Sequence, residues 1–136
     1  MTALPMPHVL ADPERFIGHV FRNAKGHAEC VEFILRTLGG TAVAPWRPGI
    51  KVRMLNPGEA DPVAKGTAIA TFVNGKYPDG DTGQHAAIYL GQNSLGIQVL
   101  DQWRSQDKVL PRTIYWSGHG GPKLSNDGTA FSVIEW

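Results

Sequence analysis

The sequence predicts an α+β domain in which a helix near the N-terminus packs on one face of an antiparallel sheet of about five strands. Three observations predict it. Ala28–Leu38, AECVEFILRTL, sets Cys30, Phe33, Ile34 and Leu38 on one side at helical spacing and stops at Gly39-Gly40. After it come short runs of apolar and β-branched residues separated by turn formers. The helical signals all precede the strand signals, with no repeat or linker between them. One domain covering residues 1–136 is therefore expected, a length that suits a single core.

Taken in order, a first short helix is expected over Asp12–Phe21, where Asp12 would cap the free amides and Pro13 would sit at the first helical position. The helix at 28–38 follows. From Thr41 to Pro62 the chain carries Pro45, Pro48, Pro57 and Pro62 among glycines, a composition that breaks helices and central strands and predicts an ordered crossing loop. Thr67–Val73, TAIATFV, has the content of a buried strand and runs into the turn formers NGKYPDGDTGQ. His85–Leu90 and Ile97–Trp103, joined by GQNSLG, read as an antiparallel hairpin. Two further strands are expected at Thr113–Trp116 and Ala130–Trp136, joined by the Gly-rich SGHGGPKLSNDG.

Composition excludes several function classes. A formal net charge of +1, from 13 basic and 12 acidic residues, leaves no electrostatic footprint for nucleic acid. No apolar run approaches the ~20 residues that cross a bilayer, so no membrane partner is expected. The start MTALPMPHVLADPERF lacks a basic region, a sustained apolar segment and a small-residue cleavage site, so no signal peptide is expected. The single cysteine excludes an internal disulfide and a multi-thiolate zinc site. His8, His19, His27 and His119 show no HExxH-like spacing, so no metal is expected, and GHGG at 118–121 lacks the context of a phosphate loop and reads as a flexible turn.

The residues that carry chemistry are Cys30, His85 and Asp101. A cysteine in the first turn of a helix feels the positive end of the helix dipole, and an imidazolium neighbour lowers its pKa further. The unpaired amides of that first turn can also hold an oxyanion. His85 opens one strand of the expected hairpin and Asp101 lies near the end of the other, so a carboxylate can bind one ring nitrogen while the other faces the thiol. Singly, each residue has a plainer explanation: a buried small hydrophobe for Cys30, a loop-end ring for His85, a turn cap for Asp101.

HAECVEFILRTLGG, then GTAIATF, TGQHAAIYLG and VLDQW, resemble the NlpC and CHAP branches of the papain-like cysteine hydrolases. From about Gly26 onward the chain is more closely similar to the small amidase effectors of bacterial type VI secretion systems. The resemblance implies a papain-like fold and cleavage of an amide in peptidoglycan stem peptides through a thioester acyl-enzyme, without cofactor. It implies Cys30 as nucleophile and His85 as base, while Asp101, as the residue orienting that base, rests on its place in the adjacent strand. The third position varies among such enzymes, and Gln102 and Asp81 stand as substitutes. Trp103, Tyr89 and Trp46 are the expected cleft-lining aromatics, although a tryptophan taken singly more often packs in a core or on a sheet face than against a substrate. A monomer is expected, made in the cytoplasm, delivered to the periplasm of a target cell, and countered by an immunity protein.

Two rival readings accompany this one. A non-catalytic module could present Trp and Tyr to glycan or protein and would keep binding after Cys30→Ala. A cysteine peptidase or acyltransferase acting on protein would share the acyl-enzyme step.

Overall fold

A computed structural model of the chain describes residues 4–78, 83–116 and 123–136. The expected helix is α1, Cys30–Leu38. Six strands follow: β1 Arg47–Lys51, β2 Ala68–Thr71, β3 Ala86–Gln92, β4 Gly96–Asp101, β5 Leu110–Tyr115 and β6 Phe131–Glu135. They form one sheet of order β1-β6-β2-β3-β4-β5 in which every neighbouring pair is antiparallel.

Strand alternation divides the buried side chains between two faces. Ala68, Ala70, Ala86, Ile88, Leu100 and Ile134 pack with Phe33 and Ile34 of α1. Their alternates, including Ile69, Ala87, Tyr89, Val99, Ile114 and Val133, form a second cluster with Val52 and Val63 from the segment between β1 and β2. The small alanines of β2 and β3 let α1 approach the sheet closely. The helix stops where the sequence said it would: Gly39 takes φ +88 and its amide bonds the carbonyl of Leu35.

Three expectations need correction. Among the described residues the sheet of about five strands has a sixth, because β1 forms inside the stretch expected to be a loop. Its Pro48 is tolerated at the sheet margin, where β1 pairs with β6 alone and the register shifts between Pro48 and Lys51. The first helix is a single 3₁₀ turn, Pro13–Phe16; Asp12 adopts left-handed backbone (φ 46) and makes no capping bond. Extension beyond it is pre-empted because the Gly18 amide bonds Val109 O at 2.8 Å and the Val109 amide bonds His19 O at 2.8 Å, drawing this segment onto the sheet margin. The GHGG motif, His119 and Asp81 lie outside the described residues.

Candidate active site

Cys30 is the first residue of α1, so its side chain sits at the positive end of the helix dipole. The helix start is fixed from below. Gln102 is fully buried; its Nε2 donates to Glu29 O (2.8 Å) and Phe21 O (2.7 Å), and its Oε1 accepts from the Phe21 amide (3.1 Å). These bonds tie the residue before Cys30 to the end of β4, and they occupy the side chain that sequence reasoning held open as a substitute for Asp101.

His85 immediately precedes β3 and Asp101 ends β4. Ile88 pairs with Leu100, so continuing the register puts Ala87 opposite Asp101 and makes His85 the diagonal neighbour of the carboxylate. The two meet at 2.6 Å, His85 Nε2 to Asp101 Oδ2. The backbone of His85 is pinned by its amide donating to Thr71 Oγ1 (3.1 Å) and its carbonyl accepting from the Thr71 amide (3.0 Å). With Nε2 taken, Nδ1 is left for the thiol, whose other contacts are the Tyr77 hydroxyl at 3.6 Å and the backbone at Ala86.

The thiol and the imidazole arrive from different sides. Cys30 packs against the helix-side cluster, whereas the His85 ring lies 6.4 Å edge-on from Phe131 of the opposite cluster. They meet at the end of the sheet where β3 begins and β4 stops, and there the cleft opens. Its volume is about 1030 Å³, and its walls include Cys30, His85, Trp46, Tyr77, Gln84 and Trp103.

Burial alone would push the Cys30 thiol up, but the charge and hydrogen bond of His85, with Tyr77 and the Ala86 backbone, bring it below its ordinary value. Burial likewise opposes charge on His85; Cys30 and Asp101 overcome it and raise the imidazole to about 9. Both shifts favour a thiolate–imidazolium pair at neutral pH. The Tyr77 phenol is pushed well above its usual range, by burial first and by Cys30 second, so it stays protonated and able to donate.

Two residues at the site were not expected. Arg112 lies on β5 opposite Val99, diagonal to Asp101 on the other flank, and its Nε donates to Asp101 Oδ2 at 2.7 Å. Its guanidinium also sits 4.9 Å over the Trp103 ring. Its signal was legible in LPRTIY, where an arginine shares the alternation of Ile114. Tyr77 was hidden in a run read only as turn formers.

Of the aromatic residues expected in the cleft, Trp103 and Trp46 line it. Trp46 is 2% exposed, edge-on to Tyr77 (5.3 Å) and stacked near Trp136 (5.9 Å). Tyr89 is a correction: it is fully buried in the other cluster, with its hydroxyl donating to Asp61 at 2.6 Å. It shares the alternation of His85 but lies four residues along, about 13 Å at ~3.3 Å per residue, and under the covering segment rather than at the open end. Among the described residues no group of three or more His, Cys, Asp or Glu side chains is placed to hold a metal ion.

Comparison with known proteins finds relatives along most of the chain. A profile of the family described as domesticated amidase effector 2 matches residues 4–134. A type VI secretion amidase effector 2 protein of Salmonella typhi is 33% identical over 136 residues, spanning 86% of this chain and 98% of its own. The solved structure of a type 6 secretion amidase effector 2 superposes with a TM-score of 0.75 at 31% identity, covering 93% of each chain. The α+β, papain-like fold expected from the sequence is thus the fold observed. The chain belongs to the domesticated amidase effector 2 family, a family of amidases.

Proposed function

We propose that this protein is a single-domain, monomeric amidase that hydrolyses an amide bond in the peptide stems of peptidoglycan, with Cys30, His85 and Asp101 as its catalytic triad. The observation that carries the reading is the unbroken chain of contacts from a helix-start thiol through His85 to a buried carboxylate, at the floor of a cleft large enough for a peptide.

In the proposed cycle the Cys30 thiolate attacks the amide carbon. The oxyanion is held by the unpaired amides of the first turn of α1 and by the Tyr77 hydroxyl, which already points at Sγ. His85 Nδ1 gives its proton to the leaving amine, and the acyl group stays on sulfur as a thioester. His85 then takes a proton from water, which attacks the thioester; collapse releases the new carboxylic acid, which ionises to solvent, and restores the Cys30 thiolate beside the His85 imidazolium. Asp101 keeps Nε2–H engaged throughout, fixing the tautomer and stabilising the imidazolium. Trp103 and Trp46 flank the substrate.

The similarity to type VI secretion effectors supports delivery into the periplasm of a target cell and a cognate immunity protein that plugs the cleft. Digestion of purified peptidoglycan by wild type and Cys30→Ala, with fragments identified by mass spectrometry, tests the reading. New amine and carboxyl termini appearing with wild type alone support it. Intact peptidoglycan after exposure to folded wild-type protein refutes it.

A further inference from the structure

Beside the catalytic cleft is a second recess of about 350 Å³, near the low end of ligand pockets at ~300–1,000 Å³. It shares Gln84, His85 and Trp103 with the main cleft, but Cys30 does not reach it; its other walls are Arg112, Lys123, Ser125 and Asn126. The recess therefore begins at His85 and extends away from the thiol.

Its charge is one-sided. Arg112 commits Nε to Asp101 and keeps its remaining donors beside the recess, with no other polar partner among the described residues. Lys123 is exposed at the rim and stands in no ion pair with another described residue. Among the described residues no acidic side chain lines the recess; Asp101 lies behind Arg112, fully buried and already engaged by both Arg112 and His85. A guanidinium held flat by a carboxylate and an aromatic ring is pre-oriented for a planar anion, and an ammonium with hydroxyl and amide neighbours completes a cradle for one.

The position says which part of a substrate enters. During acylation His85 must reach the leaving nitrogen, so the amine-side fragment lies over His85, toward the recess. Building on the proposed amidase reading, we infer that this recess is a carboxylate subsite: Arg112 and Lys123 recognise a free carboxylate on the leaving-amine side of the scissile amide. The enzyme would then discriminate between stem peptides carrying a free acid there and those carrying a carboxamide.

The test uses two synthetic peptides spanning the bond that peptidoglycan digestion identifies, one with the amine-side carboxylate free and one with it as carboxamide. Wild type is expected to cleave the acid with a kcat/KM about tenfold higher, the scale of one charge-assisted hydrogen bond. Lys123→Met is expected to slow cleavage of the acid and leave the carboxamide rate within about twofold of wild type, which also serves as its control for folding. Equal wild-type rates on the two peptides, or a Lys123→Met variant that keeps the full preference or slows both peptides alike, overturns the subsite while leaving the amidase intact. Cleavage of neither peptide by a wild type that digests peptidoglycan overturns the subsite alone, whereas peptidoglycan left intact by wild type removes the amidase reading and the subsite with it.

Discussion

Asp101 and Asp61 each accept a 2.6 Å hydrogen bond from a ring-bearing side chain in or just before β3, His85 in one case and Tyr89 in the other. The distances match, yet the surroundings differ in every respect that matters to chemistry. Asp101 is fully buried, holds an imidazole raised to about 9, and is backed by Arg112 at the open end of the sheet. Asp61 is exposed and holds a phenol that burial, together with the bond itself, keeps protonated, under a covering segment with no part in the cleft. In the proposed mechanism a short hydrogen bond serves catalysis only when its donor changes charge near neutral pH and its other face reaches a reacting group. Tyr89 meets neither condition; its bond fastens the segment between β1 and β2 to the sheet.

The sharpest way to break this comparison begins with the thiol. Cys30→Ala is expected to lower amide cleavage by about 10⁴-fold or more, read as the rate of amine release, with an unchanged circular dichroism spectrum. Next comes the pair of carboxylates. Asp101→Asn is expected to cost about 10²–10⁴-fold in kcat, because the amide cannot hold the same tautomer or stabilise the imidazolium, whereas Asp61→Asn stays within about threefold. Similar losses in both variants would erase the distinction between the two sites.

A smaller effect follows from pH. The Cys30 pKa is lowered and that of His85 raised, so the thiolate–imidazolium pair is lost on the acid side as the thiol protonates and on the alkaline side as pH passes about 9. The raised imidazole pKa adds stability that is fully present below its unfolded value of ~6.5 and disappears through about 9. A pH profile of kcat/KM should therefore fall on its alkaline limb near there, and Asp101→Asn should move that limb to lower pH. The smallest effect belongs to Tyr89→Phe: a loss of about 1 kcal/mol in chemical denaturation, with kcat within about twofold of wild type. A large drop in activity here would show that the covering segment bears on the cleft.

The sequence disclosed those parts of the molecule whose physics is local. The spacing of Phe33 and Ile34, the glycine stop at Gly39 and the Asn-Gly-rich link between β3 and β4 place α1 and the central hairpin, and with them Cys30, His85 and Asp101. What it concealed depends on partners distant in sequence. The β1 strand exists because β6, more than 80 residues away, offers it one edge, so its proline carries no penalty that local reading could see past. The segment after Pro13 leaves its helix because Val109 provides a better set of bonds. Arg112 becomes part of the site only through the β4–β5 register, and Tyr89 leaves it because the cleft opens at the end of the strand rather than along it.

The proposed mechanism needs a thiol that His85 holds as thiolate, and the reactivity of that thiol can be read without any substrate. The rate of Cys30 alkylation by iodoacetamide, followed by intact-protein mass spectrometry from pH 5 to 9, should already be high at pH 7 in wild type. In folded His85→Ala the rate should instead climb only toward the ordinary thiol range of ~8.5. Superimposable profiles for the two proteins would contradict the pairing of Cys30 with His85 on which the whole mechanism stands.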